Sequence, residues 1–305
     1  VDLGADSTTG VCVANGDSAG QCNLRAALLA ARASTGMVTI DLSVDSVVDA
    51  GQIEVGASSA GTSSFVLESA PGGAAHAIQG GAFGRLFAVD SGVSLTVNNL
   101  SIANFSAEDS GGAIVNSGDL DLEGVTIAGN TTHCWGTGAM TAFATCSGGA
   151  IANSGTLTLG GGTRFTDNGV TADASTASYT TAWAGGGAVL SSGTIAIVGP
   201  VTFSGNAANA QASSGDHGEP IGGADSSAAG GAIYNTGGLR VTAPAGSCQF
   251  NANSANASGT TPHGSITLTS RGGAIENTGA GTLQIPAGAC VFSGNSAQSG
   301  PDVGE

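Results

Sequence analysis

Between Gly111 and Asn295 apolar residues alternate with polar ones in short bursts, without the three-to-four spacing of an amphipathic helix. The bursts come in sets of three. One column of aligned positions holds Ile114, Ile151, Val189, Ile233 and Ile275. A second holds pairs such as Leu157 with Leu159 and Ile195 with Ile197, and a third holds Ile127, Phe165, Phe203, Phe250 and Phe292. Self-similarity at a period of about 40 residues marks a solenoid. Three strand signals per period predict an all-β, three-faced coil of short parallel strands, each coil stacked on the next at ~4.8 Å.

Each set opens on Gly-Gly-Ala, at Gly111, Gly148, Gly186, Gly230 and Gly272. Small residues ahead of the inward Ile permit a tight corner or a close backbone approach. Two columns of Asn sharpen the expectation of stacking. Asn116, Asn153, Asn235 and Asn277 share one turn, with Ser191 standing in, while Asn130, Asn168, Asn206, Asn253 and Asn295 share another. Asn repeated in register lets each side-chain amide donate to its neighbour along the axis, satisfying buried turn groups. Upstream, Leu24, Leu28 and Ala31 line one face of a predicted helix over 21–34, placed to cover the first coil's open edge. Residues 38–110 carry weaker strand signals; at roughly 22 residues a turn they add about three coils, for a rod of about eight coils and ~40 Å. The organisation expected is therefore an N-terminal strand, loop and capping helix over 1–37, degenerate coils over 38–110, and five full coils with long loops on one side over 111–305.

Gly-Gly-Ala-Ile paired with Phe-x-x-Asn resembles the repeat pair of the chlamydial polymorphic outer-membrane proteins. The second half reads Phe165 to Asn168, Phe203 to Asn206, Phe250 to Asn253 and Phe292 to Asn295, and the earliest copy has Ile127 in place of Phe. The resemblance implies a right-handed parallel β-helix over 111–295 and allows a passenger region cut from an autotransporter. Residues 22–28 are similar to the Cys-Ser-Leu-Arg-Glu-Ala-Ile segment that opens many exported bacterial β-helix proteins, matching at Cys22, Leu24, Arg25 and Ala27. They depart from it at Asn23, Ala26 and Leu28.

Composition narrows the setting. Six Arg and no Lys stand against 22 Asp plus Glu, for a net charge of −16. That balance repels phosphate backbones and anionic headgroups, which excludes nucleic acid as a partner. No apolar run approaches the roughly 18 residues of a membrane span. Val1 opens on polar sequence with no charged and then hydrophobic leader, as expected of a mature exported chain. The six cysteines fit three pairs: Cys12 with Cys22, Cys134 with Cys146, and Cys248 with Cys290. The last two occupy matching positions of consecutive coils, where Cα atoms about 5 Å apart are within disulfide reach. Disulfides place the chain in an oxidising, extracellular or cell-surface compartment.

Beyond each Phe-x-x-Asn, or its Ile127 counterpart, the chain is expected to leave the coil for a long loop: 131–147, 169–185, 207–229 and 254–271. His133, Trp135, Phe143, Tyr179, Trp183, His217 and His263 fall in these segments, and rare large side chains gathered on one ridge predict a partner-binding surface. Catalysis finds less support. Asp119, Asp121 and Glu123 alternate outward along one strand, the pattern of a solvated face more than of a cation site. Arg240 falls three coils from Asp121, ~14 Å, too far for a shared proton transfer. His133 beside Cys134 lacks a second His for zinc, and 216–219 is a polar loop tip. No nucleophile elbow or phosphate loop occurs, so neither catalytic residues nor a metal or cofactor is expected. The reading is a non-catalytic adhesin or self-assembling fibre subunit, docking end to end through a bare last coil or through its loops with a surface protein or glycan. The alternative is a polysaccharide lyase or glycoside hydrolase of the same fold.

Overall fold

Ile114 lies beside Ile151, Ile151 beside Val189, Val189 beside Ile233 and Ile233 beside Ile275, all in parallel register. The leucine column does the same through Leu120, Leu157, Ile195, Leu239 and Leu283. Ile127, Phe165, Phe203, Phe250 and Phe292 form the third file. The computed structural model describes residues 24–32, 36–48, 51–56, 64–70, 75–81, 84–215, 222–262, 264–279 and 281–301. Within them the chain is a right-handed parallel β-helix. Sheet I runs from Val38–Leu42 to Thr282–Gln284 in eight strands, and sheet II from Ser46–Val48 to Cys290–Ser293 in eight. Sheet III runs from Ile53–Val55 to Ile275–Asn277 in seven. The degenerate upstream segment joins the same three sheets without a break.

Identical side chains in vertical files are what fix this register. Phe165, Phe203, Phe250 and Phe292 stack nearly parallel, with ring centroids 4.7, 4.8 and 5.0 Å apart. Beside them the Asn130 to Asn295 file forms an unbroken amide ladder. The Asn168 amide donates to the carbonyl of Ile127 at 2.9 Å and to Asn206 Oδ1 at 2.9 Å, while its own Oδ1 accepts the backbone N–H and the amide of Asn130, both at 3.0 Å. Asn206 and Asn253 repeat this four-bond pattern, so each buried turn passes its polar groups to the next coil. The paired glycines answer to two separate needs. Gly111, Gly148, Gly186, Gly230 and Gly272 have φ between 56° and 68°, in the left-handed region. A side chain on Gly149, Gly187 or Gly231 would strike the backbone carbonyl of the next coil's glycine.

The second ladder is interrupted. Asn116 donates to Asn153 Oδ1 at 2.7 Å and Asn153 to Ser191 Oγ at 3.0 Å, and Asn235 restarts the file by donating to Asn277 at 2.6 Å. The Ser191 hydroxyl does not carry the chain onward, and buried Asn235 Oδ1 is left without a hydrogen-bond partner.

The predicted cap is present as helix Leu24–Ala31. Leu24, Leu28 and Ala31 are buried in one cluster with Leu42, Ile53 and Ile78, so the helix closes the first layers of the coil. Arg25 donates to the backbone carbonyls of Gly51 and Gln52, which ties the helix to the chain entering sheet III.

The four expected loops require a correction. Each contains two strands, and these stack in two further parallel sheets. Sheet IV contains Thr131–Thr137, Gly169–Ser175, Ala207–Ser213 and Ser254–Thr260, followed by Ser296–Pro301 and headed by the two-residue strand Ser106–Ala107. Sheet V contains Thr141–Ser147, Tyr179–Gly185, Gly223–Ala229 and Ser265–Arg271. Between them lies a second core built almost wholly of Ala, including Ala144, Ala172, Ala174, Ala182, Ala210 and Ala228. Alternation is strict, but its inward residues are Ala rather than Val or Ile, and that pattern reads as low-complexity loop. Small side chains also let the sheets approach closely. Cα atoms of the facing strands come within 8 Å of one another in every layer, against the ~10 Å usual for packed sheets.

Completing the broken ladder should stabilise the coil. Ser191→Asn is expected to give Asn235 Oδ1 its missing donor and add about 1 kcal/mol, whereas Asn206→Ala, which orphans the Asn168 N–H and the Phe165 carbonyl, should cost on the order of 2–5 kcal/mol. Urea unfolding followed by circular dichroism distinguishes the two signs, and a destabilised Ser191→Asn protein would refute the ladder as the stabilising element.

Candidate functional site

Sheet IV starts abruptly, and the candidate site lies at that start. Within sheet IV, Ser106–Ala107 pairs with Thr131 and Thr132 alone, so, among the described residues, 133–137 of the first long strand have no strand partner on their upper side. A cleft of about 340 Å³ opens there, with Ser106, Glu108, Thr131, His133, Trp135 and Thr171 on its walls. Strand alternation sends His133 and Trp135 to the same outer face. Their rings are 3.9 Å apart at a 33° tilt, and Trp135 remains 55% exposed. Register places Asp173 beside Trp135, and its carboxylate reaches diagonally to His133, Oδ2 to Nε2 at 2.7 Å. A contiguous hollow of about 350 Å³ flanks the other side of the 106–109 segment. Here Arg85 binds Asp109 and donates to Gln52 Oε1 at 3.0 Å and to the Ser110 carbonyl at 2.8 Å.

The aromatic residues read as one ridge do not form one. His133 and Trp135 face outward from sheet IV, whereas Phe143 and Tyr179 face outward from sheet V, 68% and 46% exposed, with the Ala core between the two faces. Trp183 has a structural role. Its ring meets Tyr234 edge-on at 5.2 Å and lies over Gly185, which braces sheet V against the outer surface of sheet III. His217 and His263 lie outside the described residues, as do Cys12 and Cys22. The other two disulfides are formed: Cys134 with Cys146 inside the Ala core, and Cys248 with Cys290 between adjacent strands of sheet II. Sequence reading missed Glu108 on the cleft wall, Asp173 as the partner of His133, and Arg85 on the neighbouring hollow. Its available signal was the Glu108-Asp109 pair just ahead of Gly111, and Asp173 lying one period below Trp135.

The acidic row on sheet I stands apart from this cleft. Asp121 faces outward between Thr96 and Thr158, and Arg240 follows it in the same file only after Thr158 and Ala196. Burial raises the Asp121 carboxyl above its ordinary 3.8, and Glu123 is raised by burial first and then by Asp121. Asp121 Oδ1 has no hydrogen-bond partner. Among the described residues, no three of His, Cys, Asp and Glu gather closely enough to hold a metal ion, and no helix is long and apolar enough to cross a membrane.

No protein-family model matches the chain, and no curated protein or solved structure matches it significantly.

The Asp121 carboxyl binds its proton more tightly in the folded than in the unfolded chain. Its contribution to stability is therefore greatest below pH 3.8 and falls as pH rises through the folded-state value. Ionised Asp121 opposes folding at neutral pH. Asp121→Asn should raise the melting temperature at about pH 7 relative to the native protein, and the difference should vanish at about pH 3. An advantage that persisted or grew in acid would show that desolvation is not the cause.

Proposed function

We propose that this chain is an exported, extracellular or cell-surface adhesive element: the β-helix is an inert scaffold, and the first layers of the outer stack meet a surface protein or glycan. The observation that carries this reading is where the large apolar side chains are spent on solvent. Aromatic residues make up 4% of the sequence. The Phe files fill the coil interior, yet Trp135, Met140, Phe143 and Tyr179 are 46–78% exposed on the first two layers of the outer stack. Exposed large apolar groups gathered at the head of the outer stack are typical of contact surfaces, and Trp and Tyr are enriched among residues that dominate binding energy. The two formed disulfides favour an oxidising compartment. The resemblance to the polymorphic outer-membrane protein repeats points the same way. Of the two roles foreseen, adhesion is preferred to fibre assembly, because helix Leu24–Ala31 covers the first coil and a second copy cannot continue the coil there.

A second reading, a carbohydrate-active enzyme, has one observation in its favour: His133, held by Asp173, and Glu108 border the same cleft. Protein-coated beads test the first reading against it. Native protein should hold beads to a target cell or matrix surface. A Trp135→Ala, Phe143→Ala, Tyr179→Ala triple variant should lose at least about tenfold of the retained beads, equivalent to ~1.4 kcal/mol, with unchanged melting because all three side chains are exposed. Equal retention of native and triple-variant beads would count against adhesion through this end. Reducing ends released from a polysaccharide, and lost in Glu108→Gln, would replace it with the enzyme.

A further inference from the structure

We infer that the cleft at the head of sheet IV binds one neutral pyranose unit of a glycan, stacked on Trp135. This rests on the adhesive reading and names its ligand class. Three observations converge on it. His133 packs on the Trp135 indole at 3.9 Å and leaves the rest of the ring half exposed beside the cleft, a fixed flat apolar platform of the kind that receives the C–H face of a sugar ring. The rest of the lining is short hydroxyls and one carboxylate: Thr131 and Thr171 on the same face of sheet IV, and Ser106 and Glu108 from the segment beside it. Hydroxyls donate and accept, and a carboxylate accepts, which matches the alternating hydroxyls around a pyranose. At about 340 Å³ the cleft falls within the roughly 300–1,000 Å³ of small-molecule sites.

Charge selects within the saccharides. Among the described residues no Arg lines this cleft, Glu108 borders it, Asp173 stands behind the lining His133, and the chain carries −16 overall, so a uronate or sulfated sugar is repelled. Asp173 is engaged by His133 at 2.7 Å. That bond fixes the imidazole beneath the platform and leaves Glu108 as the free acceptor for a sugar hydroxyl. Among the described residues no strand covers sheet IV above 133–137, so a longer glycan has room to run past the bound unit.

The chain has two tryptophans. Replacing the bracing one, Trp183→Phe, makes Trp135 the sole indole reporter. This protein is titrated with neutral gluco-, xylo-, manno- and N-acetylglucosamine oligomers and with oligogalacturonate, following emission, and the native protein is titrated in parallel by calorimetry. A saturable change with a neutral oligomer is expected, together with none for oligogalacturonate at the same concentration. Glu108→Gln should weaken binding about tenfold, and Trp135→Ala should abolish the calorimetric signal. No saturation with any neutral oligomer, tighter binding of the uronate, or full binding by Trp135→Ala would overturn the assignment. Bead adhesion that depends on Trp135 without any saccharide binding removes this inference and keeps the adhesive reading. Saccharide binding without bead adhesion supports this inference and removes the adhesive reading.

Discussion

The structure depends on a constraint at one turn of the coil: a buried chain reversal has backbone groups with no strand partner, and each coil must satisfy them for its neighbour. The Asn130 to Asn295 file meets this need. Each interior amide uses both donors and both acceptor positions, and every bond crosses to an adjacent coil. A shift of one coil by one residue would leave such a turn with orphaned buried groups, at a cost of about 1–3 kcal/mol each. The stacked Phe rings alongside impose the same register through packing. Between them they explain why the alignment of coils seen in the sequence is also the alignment in space.

The outer stack obeys the same logic with different material. Its strands are held by ladder pairing to the coils above and below, so little apolar burial is needed per layer, and Ala suffices. Removing large side chains from the interior lets sheets IV and V pack closer than the usual ~10 Å. It also frees the aromatics for other uses. Trp183 and Tyr234 brace the stack against the coil, while Trp135, Phe143 and Tyr179 stand in solvent at its head. The stack is thus a rigid stage, and its first layers are where polar, acidic and aromatic groups meet solvent together.

At that head, position in the stack matters more than residue type. His133, Trp135 and Asp173 are ordinary members of outward files that continue as Thr171, Asn209 and Gln211 in the layers below. What distinguishes them is that the strand above them covers only Thr131 and Thr132. A cleft forms where the repeat is incomplete. The same sequence of side chains one layer down would present a flat polar surface.

The sequence by itself determined the three-faced coil, its register, the capping helix and the partners in the Asn130 to Asn295 file, because each rests on residues recurring at a fixed period. Periodicity of that kind translates directly into neighbours along a stacking axis. The sequence also paired Cys134 with Cys146 and Cys248 with Cys290. Tertiary structure alone decided the rest. That the four supposed loops are stacked strands was hidden because Ala carries too weak an apolar signal to reveal alternation. That His133 and Trp135 lie on one face while Phe143 and Tyr179 lie on the other follows from the fold-back of each strand pair, which no period records. The joining of Glu108 and Thr171 to one cleft, from segments 63 residues apart in number, depends on which strand heads sheet IV and how far it extends. Spacing along a chain can report what stacks on what; it has no means of reporting where a stack ends and what solvent then reaches.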